Sequence, residues 1–266
     1  MPELPEVETI RRQLEPRLTG RTIVDAWAFP SEKFEDAVEA IGATIETVGR
    51  RGKYLILRLD DDHELVVHLG MTGQLAVQAS REVDDYTRAW FELADGTTLR
   101  FRDVRRFGRL RVVPAGDHRS IATLHAIGPE PFDADFTGEA LYRRLRSSDR
   151  RIKTQLLSQR PVAGIGNIYA DEALWLAQVY PAARTITRKR AERLRDAIVE
   201  VLCAGIEHGG TTLRDYRDAE GGSGENQQHL QCYGRAGEPC NRCGTELRSR
   251  IWDARTTTWC PRCQPR

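Results

Sequence analysis

The chain has 266 residues, and its 40 basic and 39 acidic side chains leave a formal net charge of +1. That length allows one large domain or two ordinary ones, each able to bury a core. No run approaches the roughly 18 apolar residues of a membrane-spanning helix, and Glu3, Glu6 and Glu8 stand where a secretory leader would be basic and then apolar, so a cytoplasmic protein is expected.

Pro5 opens the first predicted helix. Proline suits a first helical turn, Glu6 and Glu8 favour its positive end, and Val7, Ile10, Leu14 and Leu18 recur at helical spacing until Gly20. From Thr22 to Val113 the signal is β. Short β-prone runs at Tyr54–Leu59, Glu64–Leu69, Ala89–Leu93 and Thr98–Arg102 are separated by turn residues such as Asp60-Asp61-Asp62 and Asp95-Gly96. A short helix is expected over 34–42. Pro114 to Pro131 reads as a connection. Helical spacing then predicts helices over 137–147, 150–159, 167–177 and 187–208, the last with Leu194, Ile198, Val201 and Leu202 on one face. Gly221 to Gln228 is glycine-rich and polar, which predicts a mobile loop. The expected organisation is α+β: a β-rich domain over 1–115, a hinge over 116–135, a helical domain over 136–228 and a finger over 229–266.

Charge is unevenly spread. Residues 102–111 hold five arginines against Asp103, and 143–153 hold six basic groups against Asp149, whereas acid gathers at Asp60, Asp61, Asp62 and Glu64. Such separation fits a basic groove that attracts phosphate whatever the total charge, although each run read singly is equally a solvated face. Four of the six cysteines, Cys240, Cys243, Cys260 and Cys263, form C-x2-C, sixteen residues, C-x2-C. That is zinc-ribbon spacing: each turn presents two thiolates to one tetrahedral ion, and four thiolates leave no open position, so one structural zinc is expected. Cys203 and Cys232 have no such partners and read as a helix-core residue and a strand residue.

Residue two carries the candidate chemistry. Removal of Met1 would expose the secondary amine of Pro2 just before a helix N-terminus, whose positive end disfavours protonation. Such an amine can attack a sugar C1′, expel a base and form an iminium that needs no further proton. Glu3 could act as general acid on the sugar oxygen, and Glu6 could orient it. The alternative is that Pro-Glu-Leu-Pro-Glu is a helix lead-in and nothing more, and this stretch alone favours that reading.

Six motifs, in order, resemble the formamidopyrimidine-DNA glycosylase family: MPELPEVET at the start, RRGKYL at 50–55, HLGMTG at 68–73, RDVRRFG at 102–108, GIGNIYADE at 164–172 and the terminal ribbon. The resemblance spans nearly the whole chain. It implies an N-terminal β-sandwich with flanking helices, a helical domain with a helix–two-turns–helix element and a zinc ribbon, with damaged double-stranded DNA bound between the halves. The activity it implies is excision of oxidised purines, 8-oxoguanine or formamidopyrimidine, followed by β,δ-elimination, by a monomeric bacterial repair enzyme working on the nucleoid. Pro2 would be the Schiff-base nucleophile, Glu3 the proton donor, Lys53 a participant in β-elimination and Arg255 in δ-elimination. Met71, Arg105 and Phe107 would fill the stack when the damaged nucleotide is everted. His68 of HLGMTG and Asn167, at a helix start, would contact DNA.

Some positions depart from the family. Tyr86 stands where a DNA-contacting histidine is usual and Ser148 where a lysine is usual, so Arg88, Arg150, Arg151 and Lys153 are the expected sources of charge nearby. The 217–228 loop lacks a frequent aromatic residue, which weakens the expectation of 8-oxoguanine in particular. Rival readings are an endonuclease VIII-like preference for oxidised pyrimidines and a catalytically inactive protein that binds damaged DNA.

Overall fold

The computed structural model describes residues 1–266 and resolves two units, Met1–His125 with His208–Glu225, and Ala126–Glu207 with Asn226–Arg266. The first unit starts with helix α1 (Leu4–Leu18), whose Val7, Ile10, Leu14 and Leu18 form one fully buried stripe. Nine strands follow: β1 (Ile23–Ala28), β2 (Phe34–Glu35), β3 (Ile45–Arg51), β4 (Tyr54–Leu59), β5 (His63–His68), β6 (Gly73–Gln78), β7 (Thr87–Leu93), β8 (Thr98–Asp103) and β9 (Arg109–Pro114). They pair as two sheets, β1-β7-β8-β6 and β2-β9-β5-β4-β3, antiparallel except for the short β2–β9 contact. Leu55, Leu57, Leu65 and Val67 of one sheet face the same core as Leu75, Phe91, Leu99 and Phe101 of the other, which makes a sandwich. Each of those phenylalanines contributes about 1.5–3 kcal/mol by leaving water.

The helix expected over 34–42 is not continuous. Phe34 pairs with Leu110 as part of β2, Asp36 takes a left-handed conformation (φ 64°) that an aspartate tolerates, and only a 3-10 turn, Ala37–Ala40, remains. Residues 208–225, which the expected domain bounds place in the helical domain, fold with the first unit. Ala219 N–H donates to Gln13 Oε1 at 2.9 Å, and Tyr216 and Ala219 join the sandwich core. Within this segment Asp218 Oδ1 accepts from the N–H groups of Glu220 and Gly222, closing a turn at the start of the glycine-rich stretch. A four-residue helix, α2 (Ala122–His125), completes this unit.

The second unit holds α3 (Gly138–Arg146), α4 (Ile152–Leu157), α5 (Asn167–Leu176) and α6 (Arg188–Glu207), each within two residues of its expected ends. Thr137 caps α3 by accepting from Ala140 N–H. The α4–α5 connection is braced by Gln159, whose side chain accepts from Gly164 N–H and donates to Ile165 O. A hairpin of β10 (Arg248–Trp252) and β11 (Arg255–Trp259) turns at Asp253-Ala254, both left-handed as a two-residue type I′ turn requires. Cys232 lies in a loop and not in a strand. It is fully buried because its N–H donates to Glu172 and its thiol to Thr258 O. Cys203 is on α6 but only half-buried. No helix is long and apolar enough to cross a membrane.

Candidate active site and metal centre

Pro2, Glu3 and Glu6 are all buried, the two glutamates at 2% and 1% exposure, while Met1 is 51% exposed. The reason is Glu6. Its Oε2 accepts from Glu3 N–H at 2.7 Å, as in a capping box, and its Oε1 accepts from Thr211 N–H at 2.7 Å, a group 205 residues away in sequence. Charge-assisted bonds of this kind are about twice as strong as neutral ones. They hold the Pro2-Glu3 dipeptide in place where a chain start would fray. Gly210 (φ +88°) is required beside them, since a Cβ there would meet Glu6 Cγ at 2.8 Å.

Lys53 follows Gly52 in the two-residue turn between β3 and β4. A lysine in such a turn is ordinarily a solvated cap, yet Lys53 is 5% exposed. Its turn is tied to α1 through Arg50, which donates to Glu8 at 3.1 Å and to Gly52 O at 3.2 Å. Burial opposes ionisation of Glu8, but Arg11, Arg12 and Arg50 outweigh it and hold the carboxyl below its ordinary range. His68, at the end of β5, is pushed down to about 4, by burial first and then by the positive charges of Lys53 and Arg109. Its Nδ1 accepts from Gly70 N–H at 3.2 Å, so the proton of this neutral ring sits on Nε2, which is left as a donor.

Met71 and the Arg105–Phe107 pair lie on neighbouring loops. One runs from β5 to β6 and the other from β8 to β9, so both cross between the sheets, and both start beside paired residues, His68↔Arg109 and Gly73↔Asp103. Phe107 is 46% exposed, which excludes the core role its residue type suggests, and the Arg105 guanidinium lies 4.9 Å from its ring centroid. Tyr86 is exposed on the loop between β6 and β7, with Arg102 over its ring. Arg88 is a correction: it is 5% exposed and donates to Asp103 O, Asp85 O and Thr87 O, so its guanidinium faces the protein's own carbonyls and not solvent.

In the second unit Asn167 begins α5, and its Nδ2 donates to Thr256 O on β11 at 3.2 Å. Arg255, also on β11 beside the hairpin tip, is exposed. Asp253 in that tip accepts from Thr154 Oγ1 at 2.5 Å and from Arg151 at 3.3 Å, so Arg151 is partly committed, whereas Arg150 is exposed. Lys153 is a second correction. The expectation was a phosphate contact, but its side chain is 4% exposed, its Nζ lies 2.7 Å from Asp171 Oδ1, and it donates to Thr256 O and Thr257 Oγ1. Burial pushes the Asp171 carboxyl up, and the Lys153 ammonium beside it pulls the other way.

The sulfurs of Cys240, Cys243, Cys260 and Cys263 all lie within 4.8 Å of one another. Zn–S bonds of about 2.3 Å would set the sulfurs of a tetrahedral site about 3.8 Å apart. Four thiols this close repel as thiolates: burial and the neighbouring sulfurs push Cys263 up to about 12, while bonds from Thr245 hold Cys243 down to about 6. A divalent cation removes that conflict, and the donor set fits one structural zinc. The site is docked on α5 by Trp175, whose Nε1 donates to Cys240 Sγ at 3.4 Å and whose ring stacks under Arg242.

Sequence reasoning missed Asp103, Thr211 and Asp171. Asp103 was visible only as the one acid among five arginines; Thr211 and Asp171 carried no local signal, because their partners are remote.

Sequence models of three families match the chain: the formamidopyrimidine-DNA glycosylase N-terminal domain over 1–110, the formamidopyrimidine-DNA glycosylase H2TH domain over 127–217, and a zinc finger found in FPG and IleRS over 237–266. The formamidopyrimidine-DNA glycosylase of Herpetosiphon aurantiacus is 47% identical over 275 residues, covering 99% of this chain and 100% of that protein. The crystal structure of the MutM (FPG) protein of Thermus thermophilus superposes with a TM-score of 0.91 at 44% identity, covering 99% and 98% of the two chains. A Lactococcus lactis FPG mutant, solved with DNA containing Fapy-dG, superposes with a TM-score of 0.89 at 37% identity over 100% of both chains.

Proposed function

The chain belongs to the formamidopyrimidine-DNA glycosylase family, and from that premise we propose that it excises oxidised purines from duplex DNA and then cleaves the abasic site through a Schiff base on Pro2. It is a DNA glycosylase and abasic-site lyase of base-excision repair. Its working context in this reading is a monomer acting on nucleoid DNA in a bacterial cytoplasm, and gel filtration of the free protein checks the monomer.

The observation that carries the chemistry is the pair of hydrogen bonds that the Glu6 carboxylate accepts from the backbone N–H groups of Glu3 and Thr211, which keeps Pro2-Glu3 buried and ordered. Once Met1 is removed, the Pro2 nitrogen attacks C1′ and the C1′–N9 bond breaks, the electron pair leaving with the base, which takes up a proton. Loss of the nitrogen's own proton, with protonation of O4′ by Glu3, opens the sugar to an iminium. That cation is the electron sink for the eliminations: loss of a C2′ proton expels the 3′ phosphate, and δ-elimination then expels the 5′ phosphate. Lys53 takes part in the first and Arg255, exposed at the hairpin tip, in the second. Zinc supplies no bond-making step; bound to the four cysteines, it holds the hairpin that carries Arg255.

DNA is gripped by His68 as a neutral N–H donor, by Asn167 at the α5 N-terminus and by exposed Arg150. The Lactococcus lactis relative solved with Fapy-dG DNA supports the oxidised-purine reading, and Phe107 and Arg105 supply a ring and a planar cation that can replace the lost stacking of an everted base. Borohydride tests the core claim. Wild-type protein should give a covalent adduct with 8-oxoguanine DNA, mapped to the N-terminal proline, and Pro2→Gly should trap far less. An adduct on Lys53, or full activity with a blocked N-terminus, would overturn the mechanism.

A further inference from the structure

The two crossover loops that carry Met71 and Arg105–Phe107 do not merely run side by side. Asp103, fully buried at the end of β8, bonds to both. Its Oδ1 accepts from Thr72 Oγ1, next to Met71, at 2.5 Å, and from Arg105 N–H at 3.3 Å. Its Oδ2 accepts from Gly108 N–H, just past Phe107, at 2.7 Å. Thr72 closes the network by accepting from Arg105 N–H at 3.0 Å. The loops also touch backbone to backbone: a Cβ on Gly70 (φ +66°) would lie 2.4 Å from Gly108 N. On the outer side Lys33 donates to Arg106 O at 2.8 Å, where Arg106 is left-handed (φ 54°).

This construction matters for eversion. Pushing side chains into a base stack works against the stacking energy, so the force falls on the loops that present them. Two independent surface loops would yield; two loops sharing one buried carboxylate move only together. We propose that Asp103 is the positioning residue that couples the Met71 loop and the Arg105–Phe107 loop into one rigid wedge for evicting the damaged base. The proposal rests on the stack-filling reading of Met71, Arg105 and Phe107.

The test compares two rates for each variant under single-turnover conditions: excision of 8-oxoguanine from a duplex, and cleavage of the same duplex with a preformed abasic site, which has no base to evict. Asp103→Asn keeps the shape but turns an N–H donor toward one of the loop N–H groups. Thr72→Val removes the hydroxyl bridge with little change in volume. Asp103→Asn should slow excision about tenfold or more and abasic cleavage no more than about twofold, with Thr72→Val smaller in the same direction. Equal losses on both substrates, or none on either, overturn the proposal; should Asp103→Asn not fold, Thr72→Val decides alone. Phe107→Ala, run in parallel, separates the two layers. If Phe107→Ala spares excision, the stack-filling reading falls and the proposal with it. If Phe107→Ala selectively slows excision while neither other variant does, only the role of Asp103 falls.

Discussion

Replacing Asp171 with Asn isolates what the buried Lys153–Asp171 pair does. Asparagine still offers an acceptor to Thr258 N–H, but it leaves the Lys153 ammonium without a counter-charge in a site where the two side chains are 4% and 0% exposed. Removing one partner of a buried ion pair costs about 3–5 kcal/mol. Thr256 O and Thr257 Oγ1 still accept from Nζ, so the lower end, about 3 kcal/mol, is expected. The two units need not unfold together, so a whole-protein melt is a poor readout. Zinc release in urea reports locally, because β11 leads directly into Cys260. With a slope of about 1–3 kcal/mol per molar urea, the release midpoint should fall by about 1–3 M. Lys153→Met should cost a similar amount, and the double variant Lys153→Met/Asp171→Asn should cost no more than either single variant, a coupling of about 3 kcal/mol. Single variants within about 1 kcal/mol of wild type would refute the pair as the fastening of β11 to the helices. The salt dependence of DNA affinity supplies the second arm. Lys153→Met should leave the log–log salt slope unchanged, whereas Arg150→Ala should reduce it by about 0.9. An equal reduction from Lys153→Met would mean that this lysine reaches a phosphate after all.

Three further outcomes are expected. Glu6→Gln turns one amide donor toward the N–H of either Glu3 or Thr211, so borohydride trapping should fall about tenfold or more while DNA affinity changes little; unchanged trapping would show that Pro2-Glu3 needs no clamp. The His68 ring should titrate near 4 by NMR. Its folded value lies below the ordinary 6.5, so its contribution to stability is complete above about pH 6.5 and is lost as pH falls toward 4; a midpoint at 6 or above would contradict the burial argument. Freshly purified protein should carry one zinc per chain, and Cys260→Ser or removal of the metal with a chelator should abolish DNA binding. Metal-free protein that binds lesion DNA normally would sever the link between ion and grip.

The candidate chemistry was partly legible and partly not, and the division follows the range of the interactions. Pro2 and Glu3 stood out through the motif resemblance, since their stretch alone reads as a helix lead-in, and the feature that orders them is a hydrogen bond from Thr211 N–H, far along the chain, to Glu6. Lys53 and Lys153 looked alike as basic residues near predicted element ends. Folding buries both, the first at 5% exposure and the second against Asp171. Phe107 shows the reverse: its type suggests core, but a crossover loop leaves it 46% exposed.

By itself the sequence determined whatever neighbouring residues decide together. The four helices of the second unit follow from i, i+3 and i+4 spacing, and the metal site from two C-x2-C turns whose sulfurs need only one hairpin to meet. Only the tertiary structure decided which charges are buried and which are exposed, that 208–225 returns to the sandwich, and that Asp103 bonds two separate loops through Thr72 and Gly108. Periodicity and turn chemistry are properties of a short window of chain. Burial of a charge and the sharing of one carboxylate by remote backbone groups exist only once distant segments have been brought together.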